Sequence, residues 1–199
     1  MRELATGVHG WSVHSERLGY DLNGFAWRAD GQTVVVDPPE LIPAAESFFD
    51  KVGWPGLIVV TNRTHWRATD QLRERSGTTV AMSAVDADAV EGKVDRILTP
   101  DEVLPGGWRV LDMAGKTLGE IGLFREAGGG VLLLGDSLIG DPPGRLRLLP
   151  DAKIDDRNLL LASLSRIAAL QFDVLLLGDG KPVLSDAADR VRAFLRSLQ

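Results

Sequence analysis

The sequence predicts a mixed α/β fold, with sheets at the centre and helices outside. Three observations predict it. Two apolar stretches flank an Asp30-Gly31 turn near the start, a type I′ hairpin signal. Further on, short apolar runs alternate with helical periodicities. A glycine-rich turn at Gly128, Gly129 and Gly130 then joins another pair of strands. A purely parallel doubly wound sheet would not begin with a hairpin, so sheets of mixed direction fit better.

The elements follow in order. LNGFAWR (22–28) and QTVVVD (32–37) are the first hairpin, and Pro38-Pro39 ends its second strand. Within 43–52, Ala45, Phe48, Phe49 and Val52 repeat at helical spacing, and Pro43 suits a first helical turn. GLIVVTN (56–62) reads as a buried strand. A helix is expected from about His65 to Ser76, with Thr64 as N-cap and Gly77 as its stop. TTVAMSA (78–84), VDRIL (94–98), WRVLD (108–112), GEIGLFR (119–125) and VLLLGD (131–136) are further strands. A long helix starts near Asp155 or Asp156 and carries Leu160, Leu164, Ile167, Ala168 and Leu170. DVLLLGD (173–179) is the last strand, and a helix from about Ser185 places Ala188, Val191, Leu195 and Leu198 on one face.

A chain of 199 residues with 44% hydrophobic and 25% charged residues suits a single domain over 1–199 with an ordinary core. The absence of cysteine excludes disulfides, thiolate nucleophiles and Cys-ligated metals. A net charge of −6 disfavours nucleic acid as a partner. The N-terminus has no signal-like apolar core, and no segment approaches the roughly 20 apolar residues of a membrane span. A cytoplasmic protein without a membrane partner is expected.

Four apolar strands end on polar groups: Asp37, Asn62, Asp136 and Asp179. Continuous apolar runs mark strands buried on both faces. The carboxyl ends of such strands are where ligand-binding side chains converge. Asp and Asn also cap turns, but four such ends, two of them repeating LLLGD, favour a shared site.

The order of elements and these strand ends resemble the metallo-β-lactamase superfamily, from about residue 20 to the C-terminus. The resemblance implies a four-layer αββα sandwich. QTVVVDPP resembles the strand ending in the family's structural aspartate. LIVVTNRTHWRATD stands where the HxHxDH signature belongs, and RVLDMAGKTLGEIGLF where a TPGHTPGS-like string carries a metal-binding histidine. The two VLLLGD strands resemble those ending in the metal-bridging aspartate and in the final histidine.

The departures from that pattern carry most information. Asn62 and Thr64 stand at the first two signature histidines, Trp66 at the aspartate and Arg67 at the third histidine. Lys116 replaces the next histidine and Asp179 the last, so only Asp136 keeps its ligand type. His65 is in the right loop but on a spacer position. Two cations aimed at a metal position would repel a dication, so the resemblance implies a lost metal site and no cofactor. Lys116 and Arg67 would then neutralise Asp136 and Asp179, since a buried unpaired carboxylate is costly.

The other signals are weak. Gly115-Lys116-Thr117 lacks the upstream glycine of a phosphate-binding loop, because Val110 stands there. No GxSxG elbow exists, and Ser137 has no evident histidine base. His9 and His14 would point to opposite faces of a strand. The expected site is therefore a pocket of Asn62, Thr64, Trp66, Arg67, Lys116, Asp136 and Asp179, backed by Asp37 and His65, with no assigned catalytic residue and no metal. Two readings follow. One is a metal-free pseudoenzyme that serves as a small-molecule-binding or structural module. The alternative is a divergent hydrolase of an ester, thioester, lactone or phosphodiester with a reduced or relocated metal site.

Overall fold

The computed structural model describes residues 1–198, which form two sheets between two helical layers. The first sheet runs in chain order through β1 (Arg2–Ala5), β2 (Val8–Ser15), β3 (Tyr20–Ala29), β4 (Gln32–Val36), β5 (Pro55–Val59), β6 (Thr79–Ser83) and β7 (Arg96–Leu98). The second contains β8 (Val103–Leu104), β9 (Trp108–Asp112), β10 (Ile121–Arg125), β11 (Val131–Leu134) and β12 (Val174–Leu177), ordered β12-β11-β10-β9-β8. The helices are α1 (Pro43–Val52), α2 (Thr69–Ser76), α3 (Ala84–Ala87), α4 (Arg157–Ile167) and α5 (Ala187–Ser197).

Both sheets mix directions, as the hairpin-first order predicts. The first is antiparallel up to β4 and parallel from β4 to β7. The second is antiparallel except for the β11–β12 pair, which runs parallel.

The apolar runs explain the layers. Along β4, Val34 and Val36 point between the sheets, while Val35 faces α1 and α2. Along β11, Val131 and Leu133 face the first sheet, while Leu132 and Leu134 face α4 and α5. A strand covered on both sides needs apolar residues at every position, which is why these runs do not alternate. Trp27 and Trp108 stack at 4.7 Å within the inter-sheet core. On α1 the buried Phe49 packs against Trp11 and Trp54. Burying a side chain of that size contributes about 1.5–3 kcal/mol.

One helix departs from expectation. The segment read as helical from His65 forms a 3₁₀ turn over Arg63–His65, and α2 begins only at Thr69. Thr64 is not its cap. The hydroxyl of Thr64 is committed to Lys116 and Asp136, and the side chain of Asn62 caps the short turn by accepting from Thr64 N–H. Gly77 does end α2, in a left-handed conformation suited to glycine. Asp156 caps α4, accepting from Leu159 N–H at 2.9 Å. No helix among the described residues is long and apolar enough to cross a membrane.

Candidate functional site

The polar strand ends meet at one edge of the sandwich. Asp37 follows β4 with a φ of 48°, which turns its side chain toward the loop after β5. Its carboxylate accepts from Thr61 N–H at 2.8 Å and from Thr61 Oγ1 at 2.6 Å, and Nδ1 of His65 lies 2.8 Å away. Asp37 therefore fixes the orientation of a fully enclosed imidazole.

The repeated glycines before Asp136 and Asp179 make room for this packing. A Cβ on Gly178 would stand 2.5 Å from Cε1 of His65, and one on Gly135 would stand 2.4 Å from Oγ1 of Thr61. Glycine at both positions allows the 61–65 segment to lie directly against β11 and β12.

Around His65 the structure assembles a compact charge cluster. Nε2 of His65 lies 3.2 Å from Oδ1 of Asp136 and 3.9 Å from Oδ1 of Asp179. Lys116 Nζ is 2.6 Å from Oδ2 of Asp136 and donates to Thr64 Oγ1 at 2.5 Å. Arg67 Nη2 is 2.5 Å from Oδ1 of Asp179 and 2.9 Å from Nε2 of His65. Arg67 also donates to the carbonyls of Asn23, Asp37 and Gly178. Those bonds hold Arg67 at a φ of 44°, a conformation that costs a non-glycine residue about 1–2 kcal/mol.

The electrostatics follow from burial and neighbours. Burial and the Arg67 charge push His65 down, but Asp136 and Asp37 outweigh them and raise it to about 9. Nδ1 of His65 faces the Asp37 carboxylate at 2.8 Å, while Nε2 stands between Arg67 Nη2 at 2.9 Å and Asp136 Oδ1 at 3.2 Å. Burial works to raise Asp136, yet His65 and Lys116 hold it well below the usual carboxylate range. Asp179 is raised, first by burial and then by the Asp136 charge, against the pull of His65 and Arg67. Tyr20 is pushed up to about 12 by burial and by Asp179 and Asp136. Glu120 lies wholly buried behind the cluster and is raised to about 8 by burial and Asp136.

The residues singled out from sequence divide into three groups. Thr64, Arg67, Lys116, Asp136 and Asp179 line a common cleft of about 700 Å³, together with His65. Asn62 is enclosed beneath that floor, its Oδ1 2.6 Å from Thr64 Oγ1. Trp66 stands outside the cleft: its indole packs on Gly92 and donates to Asp70 at 2.7 Å. The 3₁₀ turn explains the exchange, because it swings His65 inward and turns Trp66 away. His65, expected behind the pocket, sits at the centre of the cluster.

Sequence reasoning passes over Tyr20, Glu120 and a flanking network. Arg63 pairs with Asp155 at 2.7 Å, while Asp86 accepts from Arg63 N–H at 2.8 Å and Thr117 Oγ1 at 2.6 Å. Glu120 is detectable as a carboxylate inside an otherwise apolar strand approach. The others carry no signal without the fold.

The chain belongs to the metallo-β-lactamase superfamily, whose family profile matches residues 1–198. It is similar to a metallo-beta-lactamase family protein from Thermus thermophilus, at 20% identity, a TM-score of 0.73, and coverage of 99% of this chain and 81% of that one. A protein crystallised in a di-iron-bound form shares 20% identity over 92% of this chain and 99% of its own, with a TM-score of 0.70. A metallo-beta-lactamase from Cronobacter sakazakii, described by a HARLDQ motif, shares 15% identity over 98% and 90% of the two chains, with a TM-score of 0.71. A sequence search of curated proteins finds no match.

The family raises the question of whether these residues fit a metal. His65, Asp136 and Asp179 each offer one ligand atom, all within 4.8 Å of one another. That spacing alone would suit a cation. The surroundings do not. Zinc needs to approach each donor to about 2.0–2.2 Å, and Arg67 Nη2 already stands against both His65 Nε2 and Asp179 Oδ1. Lys116 occupies the other side of Asp136. The donor set, with its two cations in place, does not fit a resident dication.

Proposed function

We propose that this chain is a metal-free, non-hydrolytic member of its superfamily that binds a small molecule in the cleft. The observation that carries the reading is the pairing of Arg67 with Asp179 and of Lys116 with Asp136, at 2.5 and 2.6 Å. Two side-chain cations supply the positive charge that the buried carboxylates require. The groups that could serve as a base for hydrolysis are engaged within the cluster. His65 is raised to about 9, and its two ring nitrogens already face Asp37 and Arg67, so neither is free to take a proton from water. Lys116 donates to Asp136 and Thr64.

Elemental analysis after metal-supplemented expression tests the reading, with no stoichiometric zinc, iron or manganese expected. Reporters for β-lactam, lactone, thioester and phosphodiester cleavage should show no turnover with or without added zinc. A full equivalent of bound metal, with turnover abolished by Asp136→Ala, would overturn it. The convergence of His65, Asp136 and Asp179 favours the second reading, a divergent hydrolase in which Arg67 swings aside for a relocated metal. Metal content separates the two.

A further inference from the structure

The walls of the cleft carry information about its ligand that the floor does not. Across the chain acidic residues outnumber basic ones, 28 to 22. Around the cleft the balance reverses: Arg17, Arg63, Arg67, Lys116, Arg147 and Lys153 face three carboxylates, Asp136, Asp155 and Asp179.

Most of these cations are internally matched. Lys116 and Arg67 hold the floor, Arg63 is shared by Asp86 and Asp155, and Arg147 pairs with Asp141 at 3.0 Å. Arg17 and Lys153 are exposed, and their side chains make no hydrogen bond or ion pair among the described residues. They come from separate walls, Arg17 from the turn between β2 and β3, and Lys153 from the segment leading to α4. The same lining includes apolar groups, Leu18, Leu22, Leu149 and Pro150, and the ring of Tyr20. The Arg147 guanidinium lies 5.6 Å from that ring.

A positive field focused in a cleft attracts anions, and apolar walls favour a ligand with an apolar body. We propose that the cleft takes an amphiphilic anion, a carboxylate or phosphate monoester on an apolar chain, with Arg17 and Lys153 receiving the charged head. This rests on the binding-module reading above and adds the ligand's chemical class.

Isothermal titration with octanoate, octyl phosphate, octanol, octylamine and inorganic phosphate tests it. Octanoate or octyl phosphate should bind at least about tenfold more tightly than octanol or octylamine. The tighter of the two identifies the headgroup. The Arg17→Gln/Lys153→Gln variant should lose about tenfold in affinity for that anion and leave octanol unchanged. Both side chains are exposed and unbonded, so the double variant keeps the fold. The proposal fails if octanol binds as tightly as the anions, if inorganic phosphate matches octyl phosphate, if no probe binds, or if the variant keeps full affinity. Metal analysis on the same preparation tests the underlying reading separately. Anion binding that survives EDTA treatment supports the ligand class even if metal is found, and binding abolished by EDTA overturns it.

Discussion

β11 and β12 are both VLLL, each followed by Gly-Asp, and lie side by side in parallel, with Leu132 opposite Leu175 and Leu134 opposite Leu177. Their terminal aspartates nonetheless behave oppositely. Asp136 is held well below the ordinary carboxylate range and Asp179 is raised. Strand sequence and register are matched, so the difference comes from what the rest of the fold brings to each end. Asp136 receives Lys116, His65 and the Thr64 hydroxyl. Asp179 receives Arg67, whose charge is shared among three backbone carbonyls, and it faces the Asp136 charge. One aspartate is the anchor of the cluster and the other its adjustable neighbour.

The largest expected effect follows from that asymmetry. Asp136→Asn leaves Lys116 and His65 buried without their shared anion, and should destabilise the fold by about 3–5 kcal/mol. Asp179→Asn leaves Arg67 with its carbonyl acceptors, and should cost about 1 kcal/mol. Urea denaturation at neutral pH measures both. Equal losses, or a larger loss at Asp179, would break the comparison.

A second, smaller effect lies in the pH dependence. The folded pKa of His65, about 9, stands above its ordinary value of 6.5. Its contribution is therefore fully present below about pH 6.5 and is lost as pH rises through 9. The shift corresponds to roughly 2–4 kcal/mol. Asp136 is a principal cause, so Asp136→Asn should flatten this alkaline decline, whereas Asp179→Asn should retain most of it. Stability measured from about pH 6 to about pH 10 in the two variants and in His65→Gln checks the assignment. An unchanged alkaline limb in His65→Gln would remove His65 as its source.

The two ends also show where sequence reading reaches and where it stops. The apolar runs, the hairpin turns and the strand-end carboxylates are local patterns, and they lead to the mixed-sheet sandwich and to Asp37, Asp136 and Asp179. Arg67 and Lys116 stand out by their position against the family's pattern. His65 and Trp66 depend on how a short 3₁₀ turn rotates the chain, and a change of one position exchanges inward and outward. Thr64 has the residue type of a helix cap, but Lys116 and Asp136 compete for the same hydroxyl. Tyr20 and the Arg63–Asp155 pair arise from segments far apart in the chain, and nothing local marks them. The unequal character of two identical aspartates is not a property of VLLLGD at all.

The smallest effect, read near pH 5, concerns a group that supports only one of the two ends. Glu120 Oε1 accepts from Asp136 N–H, Ser137 N–H and Ser137 Oγ, each at 2.8 Å. The corresponding turn after β12 instead has Gly180 N–H donating to the Asp21 carbonyl. Oε2 of Glu120 is buried without a partner, as is Nδ2 of Asn62. An unpartnered oxygen is less costly on a neutral acid than on a carboxylate, in keeping with a pKa raised to about 8 by burial and the Asp136 charge. The folded state then holds a proton that the unfolded chain releases near pH 4.5, so stability falls as pH rises from about 4.5 to 8. Glu120→Gln keeps an acceptor oxygen and carries no such penalty. At about pH 5 it should lie within about 1 kcal/mol of the parent, and its relative stability should rise between about pH 5 and about pH 8. Paired urea curves across that range read this directly. A variant that loses ground as pH rises would mean that the charged carboxylate is what the Asp136 turn requires.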